Sequence, residues 1–355
     1  MNAPLALTHQ VRAADLASTR EIARIAEFLA EADASLFHTP HWLRAVERGT
    51  GQRAHGLVTE QLGAITGWLP LTEVRSVLFG RALVSSGFAV GGGVCACSGE
   101  AARALIAAAE TLACAQGCAS LELRGGLIPA GEGWRSWDDK HCGFEAPLAG
   151  DDAAQLLAIP RKARAEVRKG LANDLQVRIG RSREDLAAHY AVYSESVRNL
   201  GTPVFPASLF RAMLEAFPEA SDILTVFKAD APIASVLSFY HAGAVLPYWG
   251  GGTHEARAER ANELMYYELM LHARRRGMEK FDFGRSKTGS GPYHFKKNWG
   301  FLPVPLVYGQ WSPPGTAGRD VDPTSAAYSR KIELWKKLPL PIANALGPWI
   351  ARGLA

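Results

Sequence analysis

The sequence predicts an α/β (α+β) protein made by tandem duplication, with two related halves of mixed, mostly antiparallel strands flanked by helices. Three observations predict it. A Gly triplet stands in each half, FAVGGGV at 88–94 and PYWGGGT at 247–253, with Gly91 and Gly250 lying 159 positions apart. An amphipathic helical pattern follows each triplet and closes on a glycine, Gly117 and Gly277, 160 apart; a short strand pattern comes next, Leu121-Glu122-Leu123 and Phe281-Asp282-Phe283. Upstream of each triplet runs a hairpin-like apolar stretch, GAITGWLPL at 63–71 and APIASVLSF at 231–239. Found in the same order and at one offset, these features point to a repeated unit.

Composition agrees. A chain of 355 residues suits about two domains, and 48% hydrophobic with 21% charged residues is enough to bury a core. The pattern divides into 1–150, 151–310 and a tail, 311–355. The net charge of +4 suits anionic small molecules and is too weak to argue for nucleic acid. No apolar run approaches the roughly 20 residues of a membrane span. The opening MNAPLALTHQVRAADLAS lacks a charged segment followed by an apolar core, so no signal peptide is expected. Cys95 and Cys97 are two apart, Cys114 and Cys118 four apart, and Cys142 stands alone. A metal site wants a second well-spaced pair, so the expectation is free, buried, reduced cysteines in a cytoplasmic protein with no metal.

The elements follow in order. In 100–116, Leu105, Ala108, Leu112 and Ala115 fall on one helical face. Between the halves, AGDDAAQLLAIPRKARAEVRKGLANDL places Arg161, Arg164 and Arg168 on one helical face with Lys162 and Lys169 beside it. Such a face is either solvated or meets phosphates. In 262–276, Leu264, Tyr267 and Leu271 share a face that Met270 widens; Asn262 reads as the N-cap, and three arginines, 274–276, suit the last turn before Gly277. After residue 310, WSPPGTAGRDVDPTS reads as a Pro/Gly/Asp linker. The tail KIELWKKLPLPIANALGPWIARGLA mixes Trp335, Leu338, Ile342, Leu346, Trp349 and Ile350 with Lys336, Lys337 and Arg352, and its prolines forbid one long helix. It reads as an arm that packs or docks on a partner, with contact at a membrane surface as the alternative.

The stretch FDFGRSKTGSGPYHFKKNWGF, 281–301, holds the chemistry. Asp282-Phe283-Gly284 spells a kinase tripeptide, but no His-Arg-Asp catalytic loop accompanies it; Gly284 and Gly289 have Walker spacing, but Ser290 stands where Lys is required. What remains is a strand with two rings on one face, ended by Gly284, then a polar Gly-rich loop from Ser286 to Gly291. A short helix follows, with Pro292 in its first turn, Phe295 and Trp299 on one face and Gly300 closing it. A loop feeding a helix N-terminus leaves N–H groups free for an anion, and Lys287, Lys296 and Lys297 lie near.

These residues also carry a resemblance. Phe281-Asp282-Phe283-Gly284, the Gly-rich loop, Phe295-Lys296-Lys297 and Gly300-Phe301 resemble the C-terminal signature of FemAB-like proteins, peptidoglycan bridge aminoacyltransferases built from two GNAT-type domains. RKARAEVRKGLAN resembles the start of their second acyltransferase domain. FHTPHWLRAVE, WLPLTEVRSVLFGRALVS and WKKLPLPIANALGP look like the subgroup tied to exosortase (PEP-CTERM) and exopolysaccharide clusters. The resemblance implies two GNAT-like domains and transfer of an acyl or aminoacyl group to an amine of a cell-envelope or exopolysaccharide precursor. Phe295 and Lys296 match the family's Phe-Lys pair, whose lysine stabilises the charged intermediate; this suits an oxyanion forming in a dry site. Asp282, its repeat counterpart Glu122, and Tyr293 are candidates to take the amine's proton. Phe295, Arg285, Lys287, Lys297, Tyr248, Trp249, Arg161, Arg164 and Arg168 are candidate substrate contacts.

No permanently bound cofactor is expected. The co-substrate is aminoacyl-tRNA or acyl-CoA, and the acceptor a small-molecule, lipid-linked or nucleotide-linked glycan. The tail adds the option of contact at the inner membrane face. GNAT enzymes that use CoA carry a Gly-rich turn before the main helix; here that turn reads EARAERAN, 255–262, without glycine, which counts against CoA. Two other readings stay open: an acyl-CoA-dependent N-acyltransferase acting on an amino sugar, and a non-catalytic duplicated scaffold that binds a glycan precursor.

Overall fold

Chain order in the computed structural model, which describes residues 9–316 and 326–354, begins with β1 (Gln10–Ala13), α1 (Thr19–Glu31), α2 (Pro40–Thr50), β2 (Arg53–Gln61), β3 (Ala64–Ser76), β4 (Gly80–Ser85), β5 (Cys95–Ala96), α3 (Gly99–Ala115), β6 (Ser120–Arg124) and β7 (Trp134–Trp137). It continues with β8 (His141–Pro147), α4 (Asp152–Ala158), α5 (Arg161–Ala172), β9 (Gln176–Gly180), α6 (Arg183–Leu200), α7 (Ala207–Ala216), β10 (Ser221–Lys228), β11 (Ala231–His241) and β12 (Ala244–Gly252). Then come α8 (His254–Glu259), α9 (Ala261–Arg275), β13 (Lys280–Asp282), β14 (Ser286–Lys287), α10 (Gly291–Asn298), β15 (Pro303–Pro305), β16 (Tyr308–Trp311), α11 (Ala326–Lys336) and α12 (Leu340–Ala351). Residues 1–8, which open the stretch read for a signal peptide, and 317–325 of the Pro/Gly linker lie outside the described residues.

Two compact units form. Among the described residues, one holds 9–138 with 307–316 and 352–354; the other holds 139–306 with 326–351. The first unit's sheet runs β1-β2-β3-β4-β6-β16-β7, with β5 added to β3; the second's runs β14-β8-β13-β12-β11-β10-β9, with β15 added to β8. Thus β8 follows the first repeat in sequence yet pairs in the second sheet, and β16 follows the second repeat yet pairs in the first.

Within each unit the repeat is visible. The stretches 63–71 and 231–239 lie in the hairpins β2-β3 and β10-β11. In each unit one strand pair is parallel, β4 with β6 and β12 with β13, and is joined by a crossover helix, α3 or α9, as parallel pairing demands. Both crossover helices end in the same cap. Gly117 (φ +64) and Gly277 (φ +79) turn the chain left-handed, and the N–H of Cys118 and Met278 reach back to the carbonyls of Ala113 and Ala273.

Helices cover both faces of each sheet. In the first unit Trp68 and Val58 pack under α1 and α2, while Leu69, Leu71, Leu83 and Leu121 pack under α3. In the second, Ala234, Val236 and Tyr240 face α9 and α5, whereas Ser235 meets His189 of α6 and Phe239 joins the rings around Phe210 of α7. This period-two division is the strand pleat.

Several local expectations need correction. The buried face of α3 is turned by about one residue from the expected stripe, toward Ala102, Ile106, Ala109 and Ala113, leaving Ala115 exposed. Asn262 is not the N-cap of α9; Arg260 takes that place in left-handed backbone (φ +56), and the Asn262 amide lies against Gly252. All five cysteines are free, but Cys97 and Cys114 are exposed rather than buried. The tail forms α11 and α12, which pack on α6, with Pro341 early in the second helix and Pro348 inside it.

Candidate active site

The stretch 281–301 folds much as its residues dictate. Phe281 and Phe283 are buried with their rings edge to face, centroids 5.1 Å apart. Gly284 (φ +68) then breaks the ladder. The chain rejoins β8 as β14, so Ser286 and Lys287 are strand residues opposite Cys142 and His141 rather than loop residues. Ser290 caps α10 by accepting from the Tyr293 N–H, with Pro292 in the first turn. Phe295 and Trp299 pack on Tyr266 and Phe283, and Gly300 (φ +90) closes the helix.

Lys296 points inward from α10 and is 8% exposed. Its ammonium donates to the carbonyls of Gly284 and Arg285, each at 3.1 Å, the two groups stranded by the break between β13 and β14. The rings of Phe144 and Phe283 flank it, both 5.3 Å from Nζ. One ammonium proton has no bond to any described residue. Burial pushes the group down to about 8, against the pull of Asp282, with Arg285 lowering it further. Asp282 accepts the Gly284 N–H at 2.9 Å. Burial raises its carboxyl above the ordinary range, that hydrogen bond opposes the rise, and Glu145 adds to it. Asp282 and Lys296 sense each other electrostatically without forming an ion pair. Tyr293 and Phe144 form a T-shaped pair, centroids 5.5 Å apart, and exposed Lys297 lies over the Tyr293 ring.

Of the candidates, Lys296 and Tyr293 therefore meet the same buried ring, Phe144; Arg285 offers its carbonyl to Lys296, Asp282 and Lys287 lie on the strands beside β8, and Lys297 reaches only Tyr293. Arg161, Arg164 and Arg168 do fall on one outer face of α5, whose inner face, Ala163, Val167 and Gly170, packs on α9. Arg161 and Arg168 are exposed, and Arg164 bonds the Leu157 carbonyl. Pro160, just before Arg161, touches Gly300 at the end of α10, so the start of this basic helix borders the Lys296 helix.

Other candidates sit elsewhere. Trp249 is a core residue, 4% exposed and ringed by Phe210, Phe239 and Tyr248, so its ring packs the α7 side of the sheet. Tyr248 is partly buried in the same cluster. Phe295 spends its ring on packing. Glu122 belongs to the first unit, where it is ion-paired with Arg124 at 2.7 Å.

Two residues of the site had no local signal. Phe144 comes from β8, far upstream; the pairing of β8 with β13, β14 and β15 brings it to Lys296. Ser286 is 5% exposed, and its hydroxyl is unpartnered beside the carbonyls that Lys296 binds. The first unit has a pocket of about 320 Å³ that includes Gly91, Gly92, Gly93, Gly125, Gly126 and Arg124. It lies at the C-terminal ends of the parallel strands β4 and β6, and Gly93 passes too close to the Gly125 carbonyl to leave room for a Cβ. Among the described residues no cluster of His, Cys, Asp or Glu could hold a metal ion.

Residues 160–297 match the acetyltransferase (GNAT) domain family. Solved structures share the fold of most of the chain. FemX superposes with a TM-score of 0.62 at 16% identity, covering 80% of this chain and 95% of FemX. A tandem GNAT protein from the clavulanic acid biosynthesis pathway gives 0.59 at 12%, covering 85% and 98%. Saccharomyces cerevisiae N-myristoyltransferase, solved with bound myristoyl-CoA and inhibitors, gives 0.55 at 11%, covering 89% and 85%. No curated protein sequence matches the chain significantly. The likeness establishes the fold, a tandem of GNAT-like domains.

Proposed function

We propose that the chain is an acyltransferase that moves an acyl or aminoacyl group onto an amine of a cell-envelope or exopolysaccharide precursor, with its transfer centre around Lys296. One observation carries this reading. Within the segment that matches the acetyltransferase domain, a lysine ammonium is held in an aromatic, nearly dry setting with one proton uncommitted. A fixed cation in low dielectric favours charge that develops on a neighbouring oxygen.

The acceptor nitrogen attacks the carbonyl carbon of an ester or thioester. An N–C bond forms, the carbonyl electrons move to oxygen, and collapse expels the alkoxide or thiolate. Lys296 donates its uncommitted N–H to the oxygen as charge builds. Asp282, whose proton affinity burial has raised, takes the proton lost by the amine and returns it to the leaving group. The cations of α5 and Lys297 suit phosphates carried by donor or acceptor.

Acyl-CoA is the second donor reading, favoured by the acetyltransferase-domain match. The region before α9 weighs against it. It is a helical turn without glycine, and Glu255 and Glu259 hold Lys228 there, so carboxylates stand where a pyrophosphate needs open amides.

The test supplies purified protein with acetyl-CoA or charged tRNA and an amino-sugar acceptor, and follows the acceptor mass. Lys296→Ala is expected to lower the rate about 100-fold, the scale of one lost oxyanion donor. A folded Lys296→Ala protein that transfers at the wild-type rate overturns the placing of the transfer centre at Lys296, and a wild-type chain that transfers from neither donor favours the binding scaffold. Calorimetric titration with CoA separates the donors.

A further inference from the structure

Helix α12 is built inside out. A helix at the surface of a water-soluble domain buries its large apolar side chains and shows polar ones. Here the small residues Ala343, Gly347 and Ala351 face inward, and a Cβ on Gly347 would meet Val204 at 3.0 Å. The large residues face out: Ile342 is 47% exposed, Leu346 48% and Trp349 46%, spaced as one stripe. Asn344 donates to Ser194 of α6 and fixes the helix in this rotation. The helix carries no charged residue, and Leu334 on α11 is 67% exposed as well.

We infer that this stripe docks on the surface of an anionic lipid bilayer. Its flanks are of one sign: between 331 and 355 four cations, Lys331, Lys336, Lys337 and Arg352, face one acid, Glu333. Glu333 pairs with Lys336 at 2.7 Å, and Lys337 stays exposed. An apolar stripe with an indole and bounding cations fits the interface between headgroups and acyl chains. At 12 residues the helix is far too short to cross, so it lies in the membrane plane. A second copy fits less well. Two α12 stripes meeting about a twofold axis set Lys337 against Arg352 or against itself, cation on cation. The docking rests on α12 alone and is independent of chemistry at Lys296.

The full chain is floated with phosphatidylcholine vesicles, with and without 30 to 40% phosphatidylglycerol. Binding to the anionic vesicles is expected to fall by at least about tenfold in Leu346→Glu/Trp349→Glu and in Lys336→Gln/Lys337→Gln, and to weaken with salt. Leu346, Trp349 and Lys337 are exposed, and half-buried Lys336 gives up only a surface ion pair with Glu333, so the melting curves of both variants stay close to wild type. Failure to float with anionic vesicles, or equal flotation of the Leu346→Glu/Trp349→Glu chain, overturns the inference. Dimerisation in solution that this double variant abolishes also overturns it and assigns the stripe to a second copy.

Discussion

At the scale of the residue, Lys296 and Asp282 have been moved toward each other on the pH axis. Burial lowers the lysine to about 8 and raises the aspartate above its ordinary range. If the ammonium stabilises the oxyanion, transfer falls about tenfold per pH unit above 8, since each unit removes that share of the protonated form. If the carboxylate takes the amine proton, an acid limb appears above the usual carboxylate pH. A pH–rate profile is expected to show both limbs; Lys296→Arg removes the alkaline one and Asp282→Asn the acid one. An unchanged alkaline limb in Lys296→Arg removes Lys296 from the chemistry. Stability supplies a second reading of the same group. The unfolded lysine titrates near 10.4 and the folded one near 8, so between these pH values the unfolded chain binds more protons and stability rises with pH. Relative to Lys296→Met, the wild type is expected to gain about 3 kcal/mol from pH 7 to pH 10.5 in urea titrations. Parallel curves would mean that the ammonium is better solvated than its surroundings suggest.

At the scale of the element, glycine position and ring spacing carried most of what was legible. The closing glycines were readable because a left-handed C′ residue is a local need. Gly277→Ala is expected to cost about 1 kcal/mol in thermal melts, whereas Gly291→Ala, whose Cβ meets open space, changes stability by less than about 0.5 kcal/mol. The strand at 281–283, the turn at Pro292 and the pair Phe295 and Trp299 were legible for the same reason: each is set within a few residues. Phe144 was not, because ladder pairing across the chain leaves no period in either segment. Ser286 looked like loop for the same reason, since its partner β8 lies in the other sequence half. Truncation of Phe144 tests the element that hid it. Phe144→Ala is expected to cost about 3 to 5 kcal/mol and to move the alkaline limb upward by admitting water to Lys296. Loss of stability with no movement of the limb would make the ring a packing group alone.

At the scale of the whole molecule, the repeat in the sequence is real but its ends are not where the chain turns from one sheet to the other. The triplets and closing glycines mark the parallel crossovers, which sit mid-unit and are readable. The outer strands are traded: β8 goes to the later sheet and β16 to the earlier one, and no local property of FEAP or YGQW announces which sheet each joins. The trade has a consequence for autonomy. Strand β16 stands between β6 and β7 and pairs with both, so residues 9–138 alone lack the partner of two strands and lose the buried Tyr308 and Trp311. Register offers the repair. Tyr308 lies opposite Trp137 and Trp311 opposite Trp134, so the end of β7 meets the start of β16 as the two arms of a hairpin do. Joining Asp138 to Val307 through a two-residue Asn-Gly turn keeps that register without residues 139–306. The joined piece, ending at Thr316, is expected to melt in one cooperative transition by circular dichroism. The piece ending at Asp138 is expected to show none, because two open strand edges and the lost aromatic burial exceed the margin of a domain this size. Equal melting of the two pieces would show that β16 is dispensable, and the first unit would then be a domain continuous in sequence.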